Sequence, residues 1–130
     1  MTRNLLLLGC GALAGCAGSA PTAHQEANRA ALAEARPVGE PVSCVILARI
    51  DHTRVRNDQT IDFYLHNGQV YRNVLPSSCP SLGFEERFSY RVSTGQLCSV
   101  DVIQVLQAGG GVPGATCGLG KFQRIETSAR

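Results

Sequence analysis

Cys44, Cys79, Cys98 and Cys117 carry the most versatile chemistry in this sequence. Thiols can cross-link, hold a metal or act as nucleophiles, and their spacing separates these roles. The intervals are 35, 19 and 19 residues. No C-x-x-C pair occurs, which argues against a zinc knuckle and against a thioredoxin-type redox motif. An even set of widely spaced cysteines reads as two disulfides. Three pairings exist, and the sequence excludes none of them. The expected pairing is Cys44–Cys117 with Cys79–Cys98. The first and last strands of a small β domain often lie side by side, and the Pro-rich loop holding Cys79 could fold back over Cys98.

His52 and His66 are the histidines of the same region. Asp62 and His66 stand four apart on an expected strand, hence on one face. With Asp51 and Asp101 they could assemble a metal or general-base site. Nothing in their spacing holds them together, so the preferred reading is a polar outer face with one buried Asp bonded to turn amides. Asp101 interrupts an apolar run and needs a partner to be tolerated there. Arg91 or a loop amide near Cys79 is the expected one, in a structural role. No G-x-S-x-G elbow, P-loop or H-E-x-x-H occurs. No catalytic, cofactor-binding or metal-ligating residue is therefore assigned. Arg49, Arg54, Arg56, Arg72, Arg87 and Arg91 could form a basic face for anionic envelope polymers. Asp51, Asp58, Glu85 and Glu86 offset them, so solvated charge is the simpler account. Tyr64 and Tyr71 are expected side by side, either as a stacking platform on an OB-like barrel or as a cross-strand packing pair.

The N-terminus speaks about address. Met1-Thr2-Arg3-Asn4 is followed by the apolar stretch Leu5 to Leu13, too short for a bilayer core that needs about twenty residues. A positive start, a brief apolar run and small residues beyond it have the layout of a secretory signal. Leu13-Ala14-Gly15-Cys16 resembles the lipobox of bacterial lipoproteins, which implies acylation of the Cys16 thiol and cleavage before it. Leu7-Leu8-Gly9-Cys10 fits the same pattern but leaves only four apolar residues upstream. The residue after Cys16 is Ala17 rather than Asp, which under the enterobacterial-type sorting rule implies the outer membrane. Residues 1–15 are thus read as signal peptide. Residues 16–41 are read as the lipidated Cys and a flexible linker, and residues 42–130 as the folded domain.

Within the linker, the stretch from His24 to Arg36 has high helix propensity but only Leu32 as a large apolar residue. A marginal helical spacer with a solvated His24 is expected. From Val42 onward the texture is that of strands. Val42–Ile50 reads as the first strand, and 51–59 as a polar bend or loop. Thr60–His66 and Gln69–Leu75 read as a hairpin around Asn67-Gly68, a dipeptide suited to a type I′ turn. That turn places Val70 opposite Leu65, Val74 opposite Ile61 and Tyr71 beside Tyr64. Pro76–Gly83 is a rigid loop. Phe88, Tyr90 and Val92 mark a fourth strand, and Leu97–Leu106 a central one. The fold class is all-β, a small antiparallel barrel or sandwich of about five to seven strands.

Residues 42 to 125 resemble an uncharacterised family of small proteobacterial lipoproteins with a domain of unknown function. The matching pieces are Asn73-Val74-Leu75-Pro76, Cys79-Pro80-Ser81-Leu82-Gly83, Leu97 to Ile103, and Cys117 to Phe122. The resemblance implies an address and a domain extent, and no site residues. Composition agrees with a small non-nucleic-acid binder. The chain has 130 residues, 12 Lys+Arg against 10 Asp+Glu, and no Trp. The favoured function is a non-catalytic, lipid-anchored envelope protein with a protein or polymer partner and no cofactor. A small periplasmic hydrolase and a metal- or redox-responsive protein are the alternatives.

The anchor is testable directly. Cys16→Ser should abolish incorporation of labelled palmitate and leave an unprocessed precursor, whereas Cys10→Ser should be processed normally. Label retained in Cys16→Ser would refute the assignment.

Overall fold

The computed structural model describes residue 15, residues 18–110 and residues 112–127. Residues 1–14 of the expected signal segment and Cys16 lie outside the described residues. Among these, helix α1 (Ala23–Glu34) is followed by strands β1 (Arg36–Pro37), β2 (Cys44–Ile46), β3 (Ile50–Asn57), β4 (Thr60–Leu65) and β5 (Val70–Val74). A short helix α2 (Leu82–Glu85) precedes β6 (Phe88–Tyr90), β7 (Gln96–Cys98), β8 (Val102–Val105), β9 (Thr116–Gly118) and β10 (Phe122–Glu126). The strands form an antiparallel sheet in the order β1-β10-β5-β4-β3, a pair β2-β7, and a three-stranded sheet β6-β8-β9. This is a sandwich-like all-β fold with short, numerous strands, and no sheet closes into a barrel.

Alternation along the strands sorts residues between faces. Val55, Ile61, Phe63 and Phe122 on the large sheet form one core with Ile103 and Val105 of β8 and with Val45 and Leu97 of the β2-β7 pair. Phe63 packs edge-on against Phe122, with ring centroids 5.3 Å apart. Asn73 is fully buried in this core. Its side-chain amide donates to Gly120 O at 2.8 Å, and Gly120 N donates back to its Oδ1 at 2.8 Å. The pair therefore extends the ladder between β5 and β10 without an unpaired polar group.

The β4-β5 hairpin forms where expected, but its register differs by one residue. Tyr64 faces Val70, Phe63 faces Tyr71 and Asp62 faces Arg72. A type I′ turn needs positive φ at both central residues. Here Gly68 alone has it, at +85°. Gly68 N donates to Leu65 O, and Leu65 N to Gln69 O. The loop is thus three residues long, His66-Asn67-Gly68, a turn closed by one left-handed Gly. A one-residue slip exchanges the faces of a strand. Tyr71 therefore packs toward the core while Tyr64 stays outside, and the expected tyrosine pair does not exist.

Two further expectations are corrected. The polar stretch 51–59 is mostly β3, because its polar residues lie on an outer face and an edge that tolerate them. The single strand expected over Leu97–Leu106 is broken. Asp101 Oδ2 accepts from Cys98 N at 2.7 Å, closing a tight turn between β7 and β8. Its partner is this local amide, rather than Arg91 or the Cys79 loop.

That break also explains the cysteines. β7 leaves the β8 sheet to pair with β2, which sets Cys44 directly opposite Cys98. β9 pairs with β8, away from β2, so Cys117 is out of reach of Cys44. The bonds are Cys44–Cys98 and Cys79–Cys117, in place of the expected Cys44–Cys117 and Cys79–Cys98. Each bridge closes a loop that contains one end of the other. Loop-closure entropy assigns about 4 kcal/mol to a bridge closing a loop of this size. Non-reducing peptide mapping should recover Cys44–Cys98 and Cys79–Cys117 peptides, and full reduction should lower Tm sharply. A Cys44–Cys117 peptide would contradict the fold.

Candidate functional site

The segment expected as a spacer folds onto the domain. α1 starts with a capping box, in which Thr22 Oγ1 accepts from Gln25 N and Gln25 Oε1 accepts from Thr22 N. β1 pairs with β10 through Arg36–Glu126 and Pro37–Ile125. α1 carries no apolar seam, because it docks through polar groups. Beneath it Asp62 is fully buried between two arginines. Arg72 donates from Nε to Asp62 Oδ1 at 2.7 Å and from Nη2 to Oδ2 at 2.9 Å. Arg56 donates from Nε to Asp62 Oδ2 at 2.9 Å and from Nη2 to Tyr64 Oη at 2.7 Å. Two further donors reach the helix. Arg56 Nη1 bonds Asn28 Oδ1 at 3.0 Å and Arg72 Nη2 bonds Ala31 O at 3.3 Å. Side-chain exposure of Arg56 and Arg72 is 8% and 11%, so both charges are largely desolvated. Their pairing with one carboxylate is what makes such burial tolerable.

Beside this cluster lies a groove of about 770 Å³ between α1, the β3-β4 turn and the α2 segment. Its walls carry His24, Arg29 and Leu32 on one side, and Asp58, Phe84 and Glu86 on the other. The α2 segment is firmly built. Cys79 is cross-linked to Cys117 and its N–H donates to Asp58 O at 2.7 Å. Gly83 N donates to Asp58 Oδ1 at 2.7 Å, and a Cβ at Gly83 would meet that oxygen at 2.9 Å. Leu82 is fully buried, and Glu86 pairs with His24 of α1. His24, expected to be solvated, thus joins helix to loop. Ser81 and Glu86, on either side of α2, are the non-glycine residues of positive φ, at 67° and 55°. Between them Phe84 is 87% exposed. Sequence reasoning did not single out Phe84. The available signal was one aromatic set between Gly83 and two glutamates in a cysteine-anchored loop.

Of the residues weighed for chemistry, the structure gathers Asp51, His52 and His66. His52 Nδ1 lies 3.0 Å from Asp51 Oδ2, and His66 Nδ1 lies 3.5 Å from Oδ1. His52 also stacks on Tyr64, with ring centroids 4.5 Å apart. Asp62 and Asp101 stand elsewhere, engaged as described above. Among the described residues, no group of three or more His, Cys, Asp and Glu side chains could hold a metal. The arginines do not form one face. Arg56 and Arg72 are consumed beneath α1, while Arg87 and Arg91 flank β6 on the smaller sheet.

Fold and site together define a disulfide-linked β-sandwich domain with a docked polar helix and an open groove along it. The chain belongs to DUF6491, a family of unknown function whose match covers residues 1–129. No curated protein and no solved structure matches it.

Removing the shared carboxylate should release the helix. Asp62→Ala leaves two desolvated guanidinium groups facing each other, a loss of about 3–5 kcal/mol. Tm should fall, and trypsin should cut sooner at Arg29. The triple replacement Arg56→Met, Asp62→Leu, Arg72→Met should recover much of the lost Tm, because it removes the charges together. A wild-type Tm for Asp62→Ala would disprove the role given to the cluster.

Proposed function

We propose that this chain is a lipid-anchored envelope protein, held by acyl chains on Cys16 to the periplasmic side of the outer membrane, whose groove is a non-catalytic contact surface. Phe84 is the observation that carries the reading. A lone exposed apolar residue is ordinary, but this one sits at the rim of a groove on a segment fixed by a disulfide and by the Asp58 hydrogen bonds. Positive-φ residues flank it, and such backbone strain clusters at functional sites. The lipobox-like Leu13-Ala14-Gly15-Cys16 supports the anchor, and two disulfides suit an oxidising compartment. The side chains around the groove are engaged with one another, as in Asp58 with Gly83 and Glu86 with His24, which favours a fitted surface over a poised reactive group.

A photo-reactive phenylalanine derivative placed at position 84 tests the surface in intact cells. Irradiation should yield an adduct with an envelope component. The same label at Val100, which is 88% exposed and does not line the groove, should yield none. Absence of a light-dependent adduct at position 84 in correctly fractionated cells would overturn the reading.

A further inference from the structure

The partner of the groove follows from where the chain enters the fold. α1 begins at Ala23 and its N-cap is Thr22, six residues beyond Cys16. A fully extended chain covers at most about 3.3–3.6 Å per residue, so the tether reaches about 20 Å. Part of that reach is used in the headgroup layer, since a bilayer of about 40–45 Å has a hydrocarbon core of about 30 Å. A domain of about a hundred residues has a radius of gyration of about 13 Å, so the tether is shorter than the domain is wide. The end of the domain carrying Thr22 is therefore the end nearest the lipid. Thr22 and His24 line the same groove as Phe84, and His24 contacts Glu86 two residues from it.

We infer that the α1 N-terminus and the α2 segment form a membrane-seating face, with the Phe84 ring inserted in the lipid interface beside the acyl chains. This rests on the lipid-anchor reading and names the partner of the same groove. The surrounding charge fits that partner. Each carboxylate near Phe84 is engaged by a neighbouring group: Asp58 accepts from Gly83 N, Glu86 pairs with His24, and Glu85 Oε2 accepts from Ala108 N at 3.1 Å. Arg29 remains exposed along the groove and can meet anionic headgroups. An aromatic ring with a nearby cation is a combination that binds at the headgroup–acyl boundary. The disulfide and the Asp58 bonds hold the loop in place before it meets the lipid, so little ordering is left for that step.

The chain has no Trp, so a Phe84→Trp variant carries a unique reporter. Acylated full-length protein is purified in detergent and reconstituted in phosphatidylethanolamine–phosphatidylglycerol vesicles, with part of the lipid brominated near the headgroup end of its acyl chains. A ring about 5–10 Å into the interface should show blue-shifted emission and at least about a twofold loss on bromination. Val100→Trp, in the turn between β7 and β8, should show neither. Mass spectrometry of the Cys16 peptide separates the two ways to fail. An unacylated Cys16 would overturn the anchor and this inference with it. An acylated, vesicle-bound protein in which position 84 is quenched no more than position 100 would overturn the inference and leave the anchor standing. Emission at position 84 that shifts in native envelopes but is untouched by brominated lipid would assign the groove to a protein partner instead.

Discussion

A single buried carboxylate organises the half of the molecule in which function is sought. Asp62 receives three of the guanidinium N–H groups of Arg56 and Arg72, and two further donors of those arginines grip α1. Three strands and a helix thereby share one electrostatic centre: β3 through Arg56, β4 through Asp62, and β5 through Arg72. The arrangement carries one more positive than negative charge into a desolvated site, so it is held by geometry rather than by excess attraction. Its consequence is positional. α1 has too little apolar surface to dock by burial, yet it lies in one place, and from that place His24 meets Glu86 at the wall of the groove.

What the sequence revealed, and what it hid, divide along a physical line. Local signals were legible. Ile61, Phe63 and Leu65 alternate and do form the buried face of β4, and the turn lies at Asn67-Gly68. Non-local consequences were not. Whether that turn has two or three residues is decided by φ at Asn67, which composition does not encode, and the answer moves every partner by one. In the shifted register Asp62 faces Arg72 and Asn73 turns into the core. Both are improbable from hydropathy, and both are satisfied by partners distant in sequence. The buried cluster therefore could not be assembled from spacing.

The disulfides illustrate the same limit. Cys98 and Val102 are four residues apart in an apolar run that reads as one strand, yet Asp101 folds the chain there and sends the two ends to different sheets. A pairing argument built on strand neighbours fails once a strand is miscounted. The helix is illegible for a complementary reason. Hydropathy registers docking by burial alone, whereas Asn28 and the Ala31 carbonyl complete a hydrogen-bond network that a sequence displays as unrelated polar residues.

The energetics of the α2 segment separate a displayed residue from an accidental one. Leaving a Phe side chain in water forgoes about 1.5–3 kcal/mol of burial. Each non-glycine residue held at a left-handed backbone adds strain of about 1–3 kcal/mol. A loop free to relax would lower both costs by folding its ring toward Leu32 in the neighbouring groove. Here it is denied that freedom. Leu82 is fixed in the core, Cys79 is bonded to Cys117, and Asp58 grips the backbone at both Cys79 and Gly83. These constraints offset the unfavourable conformation and also prescribe it. Stability alone would be served by a polar residue at position 84 in the same loop. A rigid loop that keeps its aromatic ring outward, at the rim of the groove and beside the start of α1, is better explained by what the ring meets than by what the fold needs.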